Sequence, residues 1–272
     1  MTVTFGNAPL VEIIAELRWN PQPPPSQIAG GGNTPMAVMS VNTNALDEFF
    51  MRFGGEVYQQ GFQRAERVVP TGFPFMLFQP VYRYRKATDL DAAVLYQAGA
   101  GMFSANAIPP YQSWDAFSPT VEAGIEAMLK TRSEAETAIP FSSISLRYLD
   151  AFGPNFTQGR DIGAFVRDVL GIKLDLPEGL SKHVASGQSV KPAIQLSLPL
   201  PNGMTMNVGI GEGMVNNEVT IIMDTTVGTT VETAPDKASA MSALNAARAV
   251  IHEMFFDLTK PIEGLMQPRT EA

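Results

Sequence analysis

The chain has 272 residues, no cysteine, two histidines and a formal net charge of −8. The absence of cysteine excludes disulfides, thiolate metal sites and cysteine nucleophiles, and the negative charge disfavours non-specific binding to nucleic acid or anionic lipid. The hydrophobic fraction of 45% is that of an ordinary globular protein. The sequence contains no apolar run of about 18 residues, the length that a membrane-spanning helix would need.

The first half of the chain alternates strand and helix patterns. Val11–Trp19 alternates apolar and polar residues, which predicts a strand with one buried face. Apolar residues recur every three or four positions over Asn44–Gln60, capped by Asn44, and over Trp114–Arg132, which predicts two helices. A Gly-rich loop is expected at Ala29–Pro35. Three strands are predicted between the helices, over Phe73–Lys86, Ala93–Gly99 and Gly101–Ala107.

The second half repeats this order of elements. Phe141–Phe152 is predicted to be a strand, and Asp161–Leu170 a helix. Pro201-Asn202-Gly203 indicates a hairpin turn. The tail from Gln267 is expected to be frayed. The remaining predicted elements are the strands Val190–Leu200, Met204–Ile210 and Met214–Val227 and the long helix Asp236–Leu265.

Two halves of similar element order, residues 1–135 and 136–272, therefore make up the chain. They share no visible sequence identity, and we expect them to form one structural unit. The predicted fold is α+β, with two β-α-β(3)-α halves, a mainly antiparallel curved sheet and helices packed on one face. Such an arrangement leaves an open sheet face, or a groove between the halves, for a ligand or partner.

Three segments carry a family resemblance: APLVEIIAELRW at the start, YQSWDAF at Tyr111–Phe117, and ISLRYLDAF at Ile144–Phe152. Together they resemble a sporadically distributed bacterial protein family of unknown function, with an N-terminal Pro-x-Val-Glu strand and a central Leu-Arg-Tyr strand. Ser145 and Asp150 stand where related sequences more often have Gly and Asn. The resemblance assigns no activity and no catalytic residue. The patchy distribution of the family implies a role in defence or in a toxin–antitoxin-like unit.

Charged residues within two predicted strands are the first candidate site. Glu12, Glu16 and Arg18 share one face of the first strand, and Arg147 in the Leu-Arg-Tyr strand could pair with them. Such a cluster, with Tyr148 beside Arg147, could line a ligand groove. It could equally be a solvated strand face. General acid–base catalysis by Glu12 and Glu16 would also need a cleft and raised pKa values.

The segment Val81–Lys86 places Arg83 and Arg85 on one face of a strand, with Tyr84 on the other. Interleaved basic and aromatic residues can bind single-stranded nucleic acid or a phosphorylated small molecule. They can also simply cover a pleated strand surface without binding anything. The net charge of −8 favours this structural interpretation over the binding of nucleic acid or a phosphorylated molecule.

The remaining motifs indicate no chemistry. Gly209–Gly213 lacks the following helix of a dinucleotide-binding loop and is interpreted as a hairpin turn. His183 is expected in an exposed loop, and His252 beside the buried stripe of the last helix. We therefore expect no metal, no cofactor and no catalytic residues.

The resulting hypothesis is a cytoplasmic, non-enzymatic binding or regulatory protein that engages a protein partner, with homo-oligomer formation left open. The candidate binding residues are Glu12, Arg18, Arg83, Tyr84, Arg85, Arg147 and Tyr148. The alternative is a domain that binds a small anionic ligand or nucleotide in the sheet groove. A hydrolase with a carboxylate site is the third interpretation, and neither nucleic acid nor a membrane is an expected partner.

Overall fold

A computed structural model of the chain describes residues 3–21, 43–86, 93–110 and 113–270. The expected loop at Ala29–Pro35 lies outside the described residues. The strands are β1 (Val3–Phe5), β2 (Leu10–Trp19), β3 (Arg64–Arg67), β4 (Pro80–Arg85), β5 (Val94–Gly99), β6 (Met102–Ala107), β7 (Phe141–Phe152), β8 (Ile194–Leu200), β9 (Met204–Val215), β10 (Glu218–Thr229) and β11 (Pro268–Thr270). The α-helices are α1 (Thr43–Gln59), α2 (Trp114–Thr131), α3 (Pro154–Thr157), α4 (Ile162–Asp168), α5 (Glu178–Ser181), α6 (Lys237–Thr259) and α7 (Glu263–Met266).

Nine strands from both halves form one antiparallel sheet in the order β3-β4-β5-β6-β2-β7-β10-β9-β8. The first strands of the two halves, β2 and β7, pair at its centre. The strands of each half then continue outward in the same relative order. This arrangement confirms the predicted α+β class with a mainly antiparallel sheet.

One face of the sheet carries the helices and the core. Ile13, Ala15 and Leu17 of β2 are fully buried on this face. On the first half, the ring of Phe53 from α1 meets the rings of Tyr84, Tyr96 and Phe103 within about 6 Å. On the second half, α6 lies on β7 and β10. The opposite face, called the open face below, has no helix among the described residues packed across it.

The first half differs from its predicted order by one strand. Arg64–Arg67 forms β3, whose four residues are all exposed, so no buried face marks it in the sequence. The predicted strand Phe73–Lys86 is wrong in its first part: only Pro80–Arg85 is a strand, apart from a single bridge at Leu77. Phe78 has a φ of 60°, a left-handed conformation that interrupts an extended strand.

The second half differs in its turns and ends. Gly209–Gly213 is not a hairpin turn but lies inside β9, and the chain turns at Asn216 and Asn217, which both have positive φ. The last long helix ends at Thr259, before Pro261, and a short α7 follows. The tail is not frayed at Pro268–Thr270, because these residues pair with Val3–Phe5. No helix in the described ranges is long and apolar enough to span a bilayer.

Candidate functional site

Cross-strand pairing places polar side chains in rows across the open face. One row begins at Ile14 of β2 and Arg147 of β7, which are direct partners. It continues through Thr226 of β10 and Asn207 of β9 to Ser197 of β8. Because facing residues in neighbouring strands point to the same side, these side chains share one surface. Residues far apart in the sequence are thereby brought together.

A groove of about 600 Å³ lies on this part of the open face, over β2, β7, β10, β9 and β8. We call it the central groove. Most of its lining is small and polar, and seven of the lining residues are serines or threonines. Its lining comprises Ile14, Glu16, Arg18, Ser143, Ser145, Arg147, Ser197, Thr205, Asn207, Asp224, Thr226, Gly228, Thr229 and Thr230.

Small side chains are what keep the groove open. Ser143 and Ser145 alternate with the buried Ile144 and Leu146 along β7, so the same strand supplies core on one side and hydroxyls on the other. At Gly228, which is paired with Ser145, an added Cβ would lie 3.0 Å from the Ser145 Cβ and 3.2 Å from the Ile144 carbonyl oxygen. A larger residue at 228 would crowd the floor.

The charged side chains of the groove are paired with one another. Arg147 donates from Nε to Asp224 Oδ1 at 2.7 Å and from Nη2 to Asp224 Oδ2 at 2.5 Å. Arg18 donates from Nε to Glu16 Oε1 at 2.7 Å. The hydrogen bonds to Asp224, and then the negative charges of Asp224, Glu12 and Glu16, raise the pKa of Arg147. The groove therefore holds fixed dipoles and neutralised ion pairs.

The predicted site residues fall into three groups. Arg18 and Arg147 line the central groove, and Glu12, which accepts a hydrogen bond from Asn106 Nδ2 at 2.8 Å, lies beside them on the open face. Tyr84 lies in the core, where its hydroxyl donates to the Phe50 carbonyl at 3.0 Å. Burial raises the pKa of the Tyr84 hydroxyl. Tyr148 faces the helices, on the opposite side of β7 from Arg147.

Arg83 and Arg85 lie on the open face but away from the central groove. They are on β4, and three strands separate them from Arg147 on β7. The four inter-strand spacings from β4 to β7, at about 4.8 Å each, amount to about 19 Å, so no small anion could contact both. Tyr82, which precedes Arg83 on the strand, faces the helices, and its ring lies 5.1 Å from that of Phe50. The basic and aromatic residues of this segment therefore do not share a surface.

Sequence reasoning missed most of the groove floor. Ser145, Thr205, Asn207 and Thr226 are short polar residues on strands, and none is conspicuous alone. The available signal was their alternation with apolar residues, which marks the face of each strand that lies away from the core. These residues come together only because of the order of the strands in the sheet, and local sequence patterns do not predict that order.

The two histidines and the buried Asp150 lie away from the groove. His183 is exposed beyond α5, and His252 lies on α6 with its ring 4.5 Å from that of Phe256. Within the described residues, no group of three His, Asp or Glu side chains is placed to hold a metal ion. Asp150 is 3% exposed, and burial raises its pKa to about 7. It shares the helix-covered side of β7 with Leu146 and Phe152, not the side that lines the groove.

Comparison with known proteins assigns no role to these residues. No protein-family model, curated protein or solved structure matches the chain. The family resemblance of the sequence motifs stays a prediction.

Proposed function

We propose that this chain is a non-enzymatic binding protein that holds a segment of a protein partner in the central groove. One observation carries the proposal: a polar groove of about 600 Å³ crosses five neighbouring strands, and its charges are already paired. A regulatory role in a bacterial defence or toxin–antitoxin-like unit rests on the family resemblance alone and is part of the same proposal.

The lining of the groove suits a polypeptide better than a small molecule. Small-molecule sites are concave and mostly apolar, with few polar groups. Here eight of the fourteen lining residues are serine, threonine or asparagine, among them Ser145, Thr226 and Asn207. Hydroxyls and amides both donate and accept, which is what an incoming peptide backbone requires. Five strands also give a floor about 19 Å across, wide enough for a short chain segment.

The charges favour a neutral or basic segment. Glu12, Glu16 and Asp224 surround Arg147, and Arg18 is bound to Glu16. An anion could bind the Nε and Nη2 side of the Arg147 guanidinium only by displacing Asp224 from a two-fold hydrogen-bonded pair. Carboxylates outnumber cations in this set, so a lysine or arginine of the partner would be accepted without such displacement.

Site-specific photo-crosslinking tests the proposal. A photoreactive amino acid replaces Ser145 in the groove or, as the matched control, Gln97 on β5, which shares the open face outside the groove. In the native host, the Ser145 position is expected to crosslink one protein through one peptide segment, and the Gln97 position is not. Equal crosslinking from both positions, or none from Ser145, would overturn the proposal.

A groove-filling variant then links the crosslinked protein to binding. Ser145→Trp projects a large ring into the groove, whereas Gln97→Trp places the same ring elsewhere on the open face. With the purified partner, we expect the affinity to fall at least tenfold for Ser145→Trp and to stay within twofold for Gln97→Trp, measured by calorimetry. Unchanged affinity in Ser145→Trp would place the partner outside the groove.

A second candidate function is the binding of a small anion at the β3–β4 edge. Arg85 lies directly opposite Arg64, and Arg83 beside it has a buried Nε with no hydrogen-bond partner among the described residues. Neighbouring guanidiniums on one face are suited to a phosphate or carboxylate. Glu66 opposite Arg83 offsets part of this charge. Thermal-shift measurements with phosphate and nucleotides test it: a rise in Tm that Arg85→Gln abolishes would support it, and no rise would refute it.

A further inference from the structure

The two edges of the sheet differ sharply in how they are protected. The β3 edge has four residues, three of them charged, and all are exposed. The β8 edge, Ile194–Leu200, has seven residues and no charged side chain. Natural sheets keep edges from pairing with other chains by making them short and charged. By this criterion β3 is blocked and β8 is open to a further strand.

The side chains of β8 add an apolar row to this open edge. Leu196 and Leu198 are each 39% exposed, and they lie on the same side as Val208 and Met206, their partners in β9. Val190, just before the strand, is 40% exposed. Among the described strands, none pairs with the outer side of β8. An added strand would therefore gain both ladder hydrogen bonds and contact with these aliphatic groups.

We propose that a second copy of this chain occupies the β8 edge, with the two β8 strands antiparallel and Ser197 on the two-fold axis. In this register Leu196 faces Leu198 of the second copy, and Ile194 faces Leu200. The strand is therefore complementary to itself, as a two-fold contact between identical chains requires. Its two ends carry aliphatic residues, and no charge is repeated across the axis.

The contrast between the edges also limits the assembly to two copies. A chain that could pair at both edges would form an open filament, whereas one with a single free edge closes as a dimer. Pro199 lacks an N–H and costs at most one ladder hydrogen bond in each copy. Aliphatic contacts from Val190 and the row on β8 extend the interface beyond the backbone ladder.

This pairing would join the two central grooves. Ser197 is both the proposed axis residue and part of the groove lining. The row that runs from Arg147 through Thr226 and Asn207 to Ser197 would continue into the same residues of the second copy in reverse order. The dimer would present one continuous polar trough with two-fold symmetry. The dimer can be tested without the proposed partner, because the experiment measures the mass of the purified chain alone.

Sedimentation equilibrium of the full chain is the first test. The wild type is expected at twice the chain mass of 29.4 kDa at tens of micromolar. Leu196→Lys with Leu198→Lys is expected to give the mass of one chain, because like charges would then line the axis. Both positions are part-exposed, so circular dichroism and Tm should stay near the wild-type values. Ala65→Lys on the β3 edge is the control and should leave the mass unchanged.

Disulfide trapping gives an independent measure of the register. The chain has no cysteine, so Ser197→Cys introduces a single thiol. Facing residues of antiparallel strands have Cα atoms about 4.5–5.5 Å apart, within the range that a disulfide spans. Oxidised Ser197→Cys should run as a covalent dimer on a non-reducing gel, and Ala65→Cys as a monomer. A monomeric wild type, or equal crosslinking of the two variants, would overturn the proposal.

Discussion

Arg147 and Asp224 form a two-fold hydrogen-bonded pair on the open face, although 77 residues separate them in the chain. Arg147 is on β7 and Asp224 on β10, and each faces a different residue directly, so the pair is diagonal. It fixes the guanidinium over the floor of the central groove. The pair thereby ties the second half of the sheet to the charged residues of β2, since Glu12 and Glu16 also act on Arg147.

A double-mutant cycle should show how much this pair contributes. We expect Arg147→Met to lower the free energy of unfolding more than Asp224→Asn, because loss of Arg147 leaves Asp224 without its partner and also removes a positive charge that interacts with Glu12 and Glu16. The coupling energy should be about 0.5–1 kcal/mol and should decrease with salt. Urea unfolding measures all four species. Arg167→Met, which breaks an exposed pair with Asp168, is the control and should have no measurable effect.

The groove shows which parts of the site the sequence could predict. Arg18 and Arg147 were predicted because a charged residue within an apolar strand is conspicuous. Tyr84 and Tyr148 were included among the candidate binding residues, but both lie on the helix-covered side of their strands. Adjacent residues in a strand point to opposite faces, so neither tyrosine could share a face with its arginine neighbour. The alternation that identified the strands already contained this information.

The strands of the sheet were also only partly predictable from the sequence. Phe141–Phe152 was predicted with its observed bounds, because its alternation is set by local burial. β3 and the pairing of β1 with β11 were missed for different physical reasons. β3 buries no face, and the ends of the chain meet through contacts that depend on the whole fold. Strand order, which assembles the groove, also depends on long-range pairing.

Two helical glycines are expected to respond oppositely to alanine. In α2, a Cβ at Gly124 would lie 2.7 Å from the rings of Phe103 and Tyr96, so Gly124→Ala should lower the free energy of unfolding by about 1–3 kcal/mol. In α1, nothing lies within 4 Å of a Cβ at Gly55. Gly55→Ala should therefore raise it by about 0.5–1 kcal/mol, since alanine is the better helix former. Chemical unfolding measures both, and a stabilising Gly124→Ala would contradict the close packing of α2 on the sheet.

Arg132 is expected to stabilise the fold through its shape more than its charge. It is 3% exposed, and its guanidinium lies 4.9 Å from the ring of Trp19 and 5.6 Å from that of Phe141. Nη2 donates to the Ile139 carbonyl at 3.0 Å, but Nε and Nη1 have no hydrogen-bond partner among the described residues. An apolar side chain of similar volume should therefore replace it at low cost.

Two substitutions separate shape from charge at this position. Arg132→Ala should lower the free energy of unfolding by about 2–4 kcal/mol through the cavity it leaves, and Arg132→Met by less than half as much. Unfolding followed by circular dichroism gives both values. Fluorescence reports on Trp19, one of two tryptophans, which should become more exposed in the alanine variant alone. Equal losses in the two variants would show that the charge is required.

Asp150 is expected to make the protein less stable as the pH rises. Burial raises its pKa from 3.8 to about 7, so between these values the folded chain keeps a proton that the unfolded chain has released. Its contribution is most favourable at low pH and is lost as the pH rises through about 7. Asp150→Asn cannot ionise, so its stability relative to the wild type should increase by roughly 2–3 kcal/mol between pH 5 and pH 8. Any cost of the amide itself would be a constant offset.

Asp236→Asn, the same change at the cap of α6, where hydrogen bonds from Ser239 lower the pKa, should shift stability in the opposite direction over the acid range. Urea unfolding at several pH values measures both, and a difference for Asp150→Asn that stays constant with pH would contradict the raised pKa.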